Sequence, residues 1–384
     1  MEIFKKNRKT IFQLLLAVIA LILSQRFAGL LPGFWGLIIH FLAMVIWAVF
    51  LGLLVIFLGL QIIQNFRLER SFIPDNLYIR PLPALKKYRI LNPLEGPGSF
   101  YKAQLHTHSS HSYDSKVPPE EIIQSYKNDG YQILAITDHD RYSDFSHYST
   151  GEMLIIPGSE ETIPVLFWPI PLGRHLVLIN PVTKRLHIRT VKERLDEAAA
   201  SDSLAIPAHL SWRGGAGTGR WYPEELLRLK NLQFVEIHSP HSQDPVDFII
   251  WHKLIKKNGP ERPVWGIAVD DSHSGSRQNG WIMVKMPRLD LPSFIASLKK
   301  GSFYASGKLT LDIRVEETRI LVNSPGAAWI RFFNAQNLVI AAVRGEQAVY
   351  QSVGDEGFIR VEAADPRDRK AWSQPMWLVP AEES

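Results

Sequence analysis

Twelve of the thirteen histidines fall after residue 100, and most of them sit at the ends of short β-forming runs. This placement constrains the fold more than any other feature of the chain. The runs are Ala103–Thr107, Gln132–Thr137, Met153–Ile156, His175–Asn180, Leu204–His209, Phe234–His238 and Val264–Val269. Helical patterns lie between several of them: Pro118–Asp129, Val191–Ala200, Pro223–Lys230 and Pro245–Asn258, with Pro292–Lys300 after the last. Such alternation predicts βα units. In a parallel barrel the C-terminal ends of the strands converge on one face. His106, His108, Asp138-His139, Glu160, His209, His238 and Asp271-x-His273 would then meet there, while His175 opens its run instead of closing it.

Two histidines at i, i+2 on a strand point to the same side. Mixed nitrogen and oxygen donors without thiolates suit Zn²⁺, Mn²⁺ or Fe²⁺, and the chain has no cysteine. A carboxylate such as Glu160 can bridge two ions, and paired ions about 3.5–4 Å apart clamp a phosphate and share a hydroxide nucleophile. A single histidine is far more often an ordinary surface or core residue. His147, His187, His241 and His252 are read that way, and His111 is left open.

The stretch His106-Thr107-His108-Ser109-Ser110-His111-Ser112-Tyr113-Asp114 is followed by Thr137-Asp138-His139, Gly158-Ser159-Glu160-Glu161-Thr162, Pro207-Ala208-His209 and Asp271-Ser272-His273. In that order the motifs resemble the polymerase-and-histidinol-phosphatase (PHP) family over about residues 100–307. The resemblance implies an α/β fold, a seven-stranded distorted β/α (TIM-like) barrel with two or three divalent transition-metal ions at its strand ends. It further implies hydrolysis, usually of phosphoesters. One ion would take His106, His108, Glu160 and Asp271. A second would share Glu160 and add His175 and His209, and a third would take Asp114, His139 and His273. His209 or His273 could protonate the leaving alkoxide.

Trp212-Arg213-Gly214-Gly215-Ala216-Gly217-Thr218-Gly219-Arg220 follows His209 and reads either as a substrate loop whose Arg213 and Arg220 grip a phosphate or as a plain surface loop. Arg141 is a further candidate for substrate binding. The expected substrate is a small anionic molecule, most simply a phosphoester. A carboxyl ester or carbamate would use the same ions, with Ile163–Pro171 shaping an apolar pocket. The non-enzymatic alternative is a degenerate barrel serving as a membrane-tethered scaffold, which none of the nine retained donors favours.

Residues 1–100 carry eleven basic groups against four acidic ones, while the whole chain has a formal net charge of +5. The excess therefore belongs to the N-terminal quarter, and no specific nucleic-acid binding is expected. Residues 1–63 are strongly apolar and predict a transmembrane hairpin with helices at about 11–31 and 37–60. Lys5-Lys6-Arg8-Lys9 and Arg67-Arg70 flank it, which predicts an integral membrane protein with both ends, and the catalytic part, on the cytoplasmic side. Residues 64–100 read as a linker, 101–307 as the hydrolase barrel and 308–384 as a small β-rich accessory domain.

Overall fold

The computed structural model describes residues 38, 41–56, 59, 82–164, 173–184, 190–214, 218–242 and 244–381. The chain divides into two compact units, Met1–Arg67 and Leu68–Ser384.

In the first unit residues 41–56 are helical, with apolar side chains such as Phe41, Leu53 and Val55 exposed. Among the described residues no helix is long and apolar enough to cross a membrane. The expected pair of spanning helices is therefore corrected, and with it the integral-membrane placement with a cytoplasmic catalytic part. The expected first helix, 11–31, and its basic flanks lie outside the described residues.

The second unit is built on a 13-stranded mixed sheet. Its edge strand β1 (Tyr88–Leu91) comes from the expected linker and pairs antiparallel with the last strand of the chain. At the heart of the sheet β2 (Ser99–Gln104), β3 (Ile133–Ile136) and β4 (Leu154–Pro164) run parallel. Helix α1 (Pro119–Asn128) connects β2 to β3. Pro119 sits in its first turn with Glu120 and Glu121, and Gly130 follows at φ +76°, so start and stop follow the sequence signals.

β5 (Gly173–Ile179) and β6 (Leu204–Pro207) continue the sheet beyond β4, both in antiparallel pairing. Helix α2 (Val191–Ala200) precedes β6 and starts with a capping box between Thr190 and Glu193. The short α3 (Pro223–Leu226), then β7 (Phe234–His238), α4 (Asp244–Asn258) and β8 (Trp265–Ala268) follow; β7 and β8 form a separate parallel pair. β9 (Trp281–Met286), α5 (Leu291–Lys299) and β10 (Phe303–Ser306) come next, and β9 pairs with β2 on the side away from β3.

This arrangement corrects the expected seven-stranded β/α barrel. All seven runs are strands, yet only β2–β3–β4 and β7–β8 are parallel, and the sheet is a long mixed path. The reason lies in the β4–β5 connection. Only residues 165–172 separate these strands, whereas a parallel crossover needs a dozen or more residues. The chain must turn straight back, and β5 pairs with β4 as a hairpin.

The remaining strands are β11 (Asp312–Glu316), β12 (Arg319–Asn323), β13 (Trp329–Phe333), β14 (Val339–Arg344), β15 (Gln347–Gln351), β16 (Phe358–Ala364), β17 (Lys370–Trp372) and β18 (Met376–Pro380). β11, β12 and β15 form a small sheet of their own, while β13, β14, β16, β17 and β18 extend the large one through the β10–β17 pair.

His252 on α4 ties the two halves of this unit together. Its Nε2 donates to the Ala335 carbonyl at 3.0 Å, and its Nδ1 faces Arg360 Nη2 of β16 at 3.4 Å. Burial, then the Arg360 charge, push its pKa down to about 3. The unfolded chain takes up this proton near pH 6.5 and the folded chain does not, so stability present above that pH is lost as the pH falls toward 3. The expected loss from this residue is about 1.4 kcal/mol per pH unit below roughly 6. Thermal melts of wild type and His252→Gln between pH 7 and pH 4.5 check it: the variant should show the shallower decline, and parallel slopes would refute the assignment.

Candidate metal centre

The site forms where β2, β3 and the segment after β8 are spliced together beyond their regular ladders. The Gln104 carboxamide oxygen accepts from the backbone N–H groups of Leu105, His106 and Asp270 at 3.0–3.1 Å, and its Nε2 donates to the Gly280 carbonyl. Asp271 N–H donates to the His106 carbonyl and His108 N–H to that of Ser272, both at 2.9 Å; Thr137 N–H donates to that of Thr107 at 2.8 Å. Glu160 N–H donates to Asp138 C=O at 3.1 Å. Non-glycine residues in left-handed conformation cluster here, with His209 at φ +29° and Asp271 at φ +42°. Strain of this kind persists only where surrounding contacts over-determine the backbone.

Glu160 is the centre. Its Oε2 lies 3.2 Å from His106 Nε2, 3.3 Å from His108 Nε2 and 3.0 Å from His139 Nδ1. Its Oε1 lies 2.9 Å from His175 Nδ1 and 3.2 Å from His209 Nε2. Asp271 Oδ1 stands 3.3 Å from both His106 Nε2 and His108 Nε2. Asp114 Oδ2 lies 3.3 Å from His139 Nε2 and 3.0 Å from His273 Nε2. All nine donors named from the sequence thus share one neighbourhood.

Seven of them fall into three groups able to hold an ion: His108, Asp114, His139 and His273; His106, His108 and Glu160; and His139, Glu160 and His175. Asp271 and His209 stand beside these groups. Buried polar groups are ordinarily hydrogen-bonded. Here His106 Nε2, His108 Nε2, His139 Nδ1, Glu160 Oε2, His175 Nδ1 and His273 Nε2 are buried without a hydrogen-bond partner, although they crowd together at these distances. Lone pairs converging in this way suit cations, and the donor set fits divalent metal ions.

Burial opposes the charged form of His106, but Asp271, Glu160 and Glu236 outweigh it and hold its pKa well above the usual range. Against its own burial, His139 is pushed up to about 10, chiefly by Glu160 and Asp114. Burial dominates at His108, which falls to about 4 between His139 and His106. Glu160 is also opposed by burial, yet His106, His175 and His139 keep it ionised, well below the usual carboxylate range.

Several participants escape a reading of the sequence. Glu236, fully buried in the middle of β7, accepts from His106 Nδ1 at 2.7 Å and from His209 N–H at 2.6 Å. It thereby directs the other nitrogen of His106 toward Glu160. The detectable signal was an acid inside the apolar run Phe234–His238. His241, read from sequence as an ordinary residue, brings Nε2 to 3.5 Å from Asp271 Oδ2 and lines the cavity. Asp270 faces away, accepting from Arg277 and Asn279 N–H and from Tyr126 Oη–H at 2.7–2.9 Å.

The cavity over the donors holds about 360 Å³ and is also lined by Tyr113, Gly173, Trp212, Gly214 and Thr218. The three arginines expected to bind substrate are not among its lining residues. Arg141 is exposed. Arg220 is buried, with Nε and Nη2 unpartnered among the described residues, and both burial and the neighbouring Arg213 charge lower its pKa to about 10. His238 turns elsewhere, toward the Asn279 carbonyl at 3.1 Å.

The family model of the PHP domain matches residues 104–153. No curated protein sequence matches the chain. Among solved structures it is similar to a two-domain protein from Bacteroides vulgatus containing a predicted PHP-like metal-dependent phosphoesterase, at 14% identity over 80% of this chain and 100% of the other, with a TM-score of 0.43. It is also similar to an amidohydrolase from Chromobacterium violaceum with bound sulfate and no metal (14% identity, 52% and 96% covered, TM-score 0.32). A third is the histidinol phosphate phosphatase of Lactococcus lactis in complex with zinc, L-histidinol and phosphate (14% identity, 52% and 92% covered, TM-score 0.26).

The Glu236–His106 contact predicts a distinct effect on ion binding. Carboxylates behind ligand histidines raise ligand basicity and fix the tautomer, and their loss typically weakens metal affinity by about 10–100-fold. Glu236→Gln should therefore lower Zn²⁺ or Mn²⁺ affinity by roughly that factor in a chelator competition, with the fold retained. An unchanged affinity would remove Glu236 from the centre.

Proposed function

We propose that the chain is a metal-dependent hydrolase that cleaves a phosphoester in the cavity over Glu160. The observation that carries this reading is the ring of buried, unpartnered nitrogens around one ionised carboxylate. His106, His108, Glu160 and Asp271 would hold one ion, Glu160 with His175 a second, and Asp114, His139 and His273 a third. Divalent ions bound there would neutralise phosphoryl oxygens and lower the pKa of a water molecule.

The chain's own residues do the rest. Glu236 fixes the His106 ring. Ser112 Oγ lies 3.2 Å from His108 Nδ1 and accepts from His139 N–H at 2.9 Å, which orients two more donors. His209, which is outside the three ion-holding groups, lines the same cavity. It is assigned to hand a proton to the leaving oxygen, which requires that it stay within hydrogen-bond reach of it.

The second reading is hydrolysis of a carboxyl ester or carbamate at the same donors. It is favoured by the absence of any lysine or arginine among the described residues lining the cavity, since an anion would then find positive charge only in bound ions.

The protein should contain two or three transition-metal ions per chain by elemental analysis and should cleave a generic phosphoester. Removing the ions with a chelator should abolish turnover, and returning Mn²⁺ or Zn²⁺ should restore it. His106→Ala combined with His108→Ala should lower kcat/KM by about 10²–10³-fold or more, the scale of a lost electrostatic catalytic element. Full activity in the metal-free protein would sink the proposal. Faster turnover of aryl carboxyl esters than of any phosphoester would select the second reading.

A further inference from the structure

The glycine-rich stretch after His209 has a structural purpose that its arginines do not explain. Trp212 N–H donates to the His209 carbonyl at 2.8 Å, which starts the loop as a tight turn. Gly219 N–H donates to the Arg213 carbonyl at 3.2 Å and closes its neck. The Trp212 indole lies on that neck. A Cβ on Gly219 would meet Trp212 Cε3 at 2.5 Å and Cζ3 at 3.0 Å, closer than real Cβ atoms approach. Gly214, at φ +65°, would bring its Cβ to 3.1 Å from Gly219 N and 3.6 Å from Trp212 Cζ3. Glycine at 219 is therefore needed to seat the indole, and glycine at 214 to hold the left-handed turn that approaches Gly219.

So seated, the indole borders the cavity. Its ring centroid is 4.7 Å from that of His209 and 5.0 Å from that of His175. Another aromatic ring lines the same cavity. Tyr113 stacks on His139 at 4.9 Å with an interplanar angle of 19°, and yet it is 71% exposed, so its outer face is open. An exposed tyrosine stacked on His139 and a tryptophan seated on a glycine are two aromatic surfaces lining one cavity. The lining carries no lysine or arginine among the described residues to grip a charged leaving group.

We propose that Trp212 and Tyr113 make this site selective for phosphoesters whose leaving group is a planar unsaturated ring. The inference rests on the hydrolase reading above and adds the substrate class. Rings of this kind gain from offset or edge-to-face contact beyond the area they bury, whereas a saturated ring of the same size gains only the area.

The test uses the full-length, metal-loaded protein and titration calorimetry with phenylphosphonate and cyclohexylphosphonate, which share a headgroup and are not hydrolysed. Phenylphosphonate should bind roughly three- to tenfold more tightly, the range expected for aromatic contacts. Trp212→Leu and Tyr113→Ala should each bring that ratio toward one, and Trp212→Phe should retain most of it. Loss of metal or partial unfolding weakens both ligands alike and leaves the ratio unmoved, so the ratio reports the rings alone. Tyr113 is exposed, and its variant keeps the test decisive if Trp212→Leu does not fold. Equal affinities in a protein that cleaves phosphoesters overturn the inference and leave the hydrolase reading standing. No binding of either phosphonate together with no phosphoester cleavage overturns both.

Discussion

A buried, ionised carboxylate is the constraint on which the rest of this unit depends. Glu160 is withdrawn from water and stands in contact with five imidazoles. Isolating such a charge in a protein interior carries an effective penalty of several kcal/mol, so the partners must be in place. They cannot come from one strand. His106 and His108 follow β2, His139 follows β3, His175 lies in β5 and His209 follows β6, while Glu160 itself is on β4. The order β2–β3–β4–β5–β6 in the sheet puts the acid in the middle and two strands of donors on each side. The topology is what a central carboxylate surrounded from both flanks requires.

How much of this was legible follows from which signals are local. Strand positions are local, because a β-branched run between turn residues forms a strand wherever it lies, and all seven runs do. Most of the donors were legible for the same reason, since they sit at or just beyond a run's end, whereas Asp114 was named only through the family resemblance. Direction is not local. Yet one residue carried it: His175 opens its run, whereas the other donors lie at or beyond the C-terminal ends of the runs before them. A residue at the start of a strand reaches the same end of a sheet as the C-terminal residues of its neighbour only if the two strands run in opposite senses. β5 is antiparallel to β4, with Thr162 paired to His175. The anomaly in the histidine pattern was thus the mark of the hairpin that breaks the barrel expectation.

Other parts of the site are hidden in the sequence for different reasons. Arg213 and Arg220 flank a glycine-rich loop and are not among the lining residues of the cavity, while Gly219 answers to an indole, a packing demand invisible until Trp212 is placed. Glu236 and Gln104 were passed over because each looks like a polar interruption of an apolar run. Such an interruption is informative when it cannot be solvated. Inside a fully buried strand, a carboxylate or amide must have partners, and here the partners are the donors' own rings and backbone.

The paired acids show why motif reading finds the donors and misses their support. Glu160 is followed by Glu161 and Asp271 is preceded by Asp270, so each doublet looks redundant. Successive side chains on a strand point to opposite faces, and the doublet on β4 divides accordingly. Glu160 faces the histidines, whereas Glu161 accepts from buried Arg194 of α2 at 2.9 Å and anchors that helix to the sheet. At the second doublet the left-handed Asp271 turns its carboxylate to His106 and His108. Asp270 instead gathers three backbone N–H groups of the 277–279 loop and the Tyr126 hydroxyl. One acid of each doublet faces the histidines, and the other fixes a neighbouring segment, helix α2 for Glu161 and the 277–279 loop for Asp270. A site that crowds so many unpartnered nitrogens needs such a frame, because without it the imidazoles would turn to hydrogen-bond one another or solvent. The rigidity is therefore built from residues that look, in sequence, like spare copies of the donors.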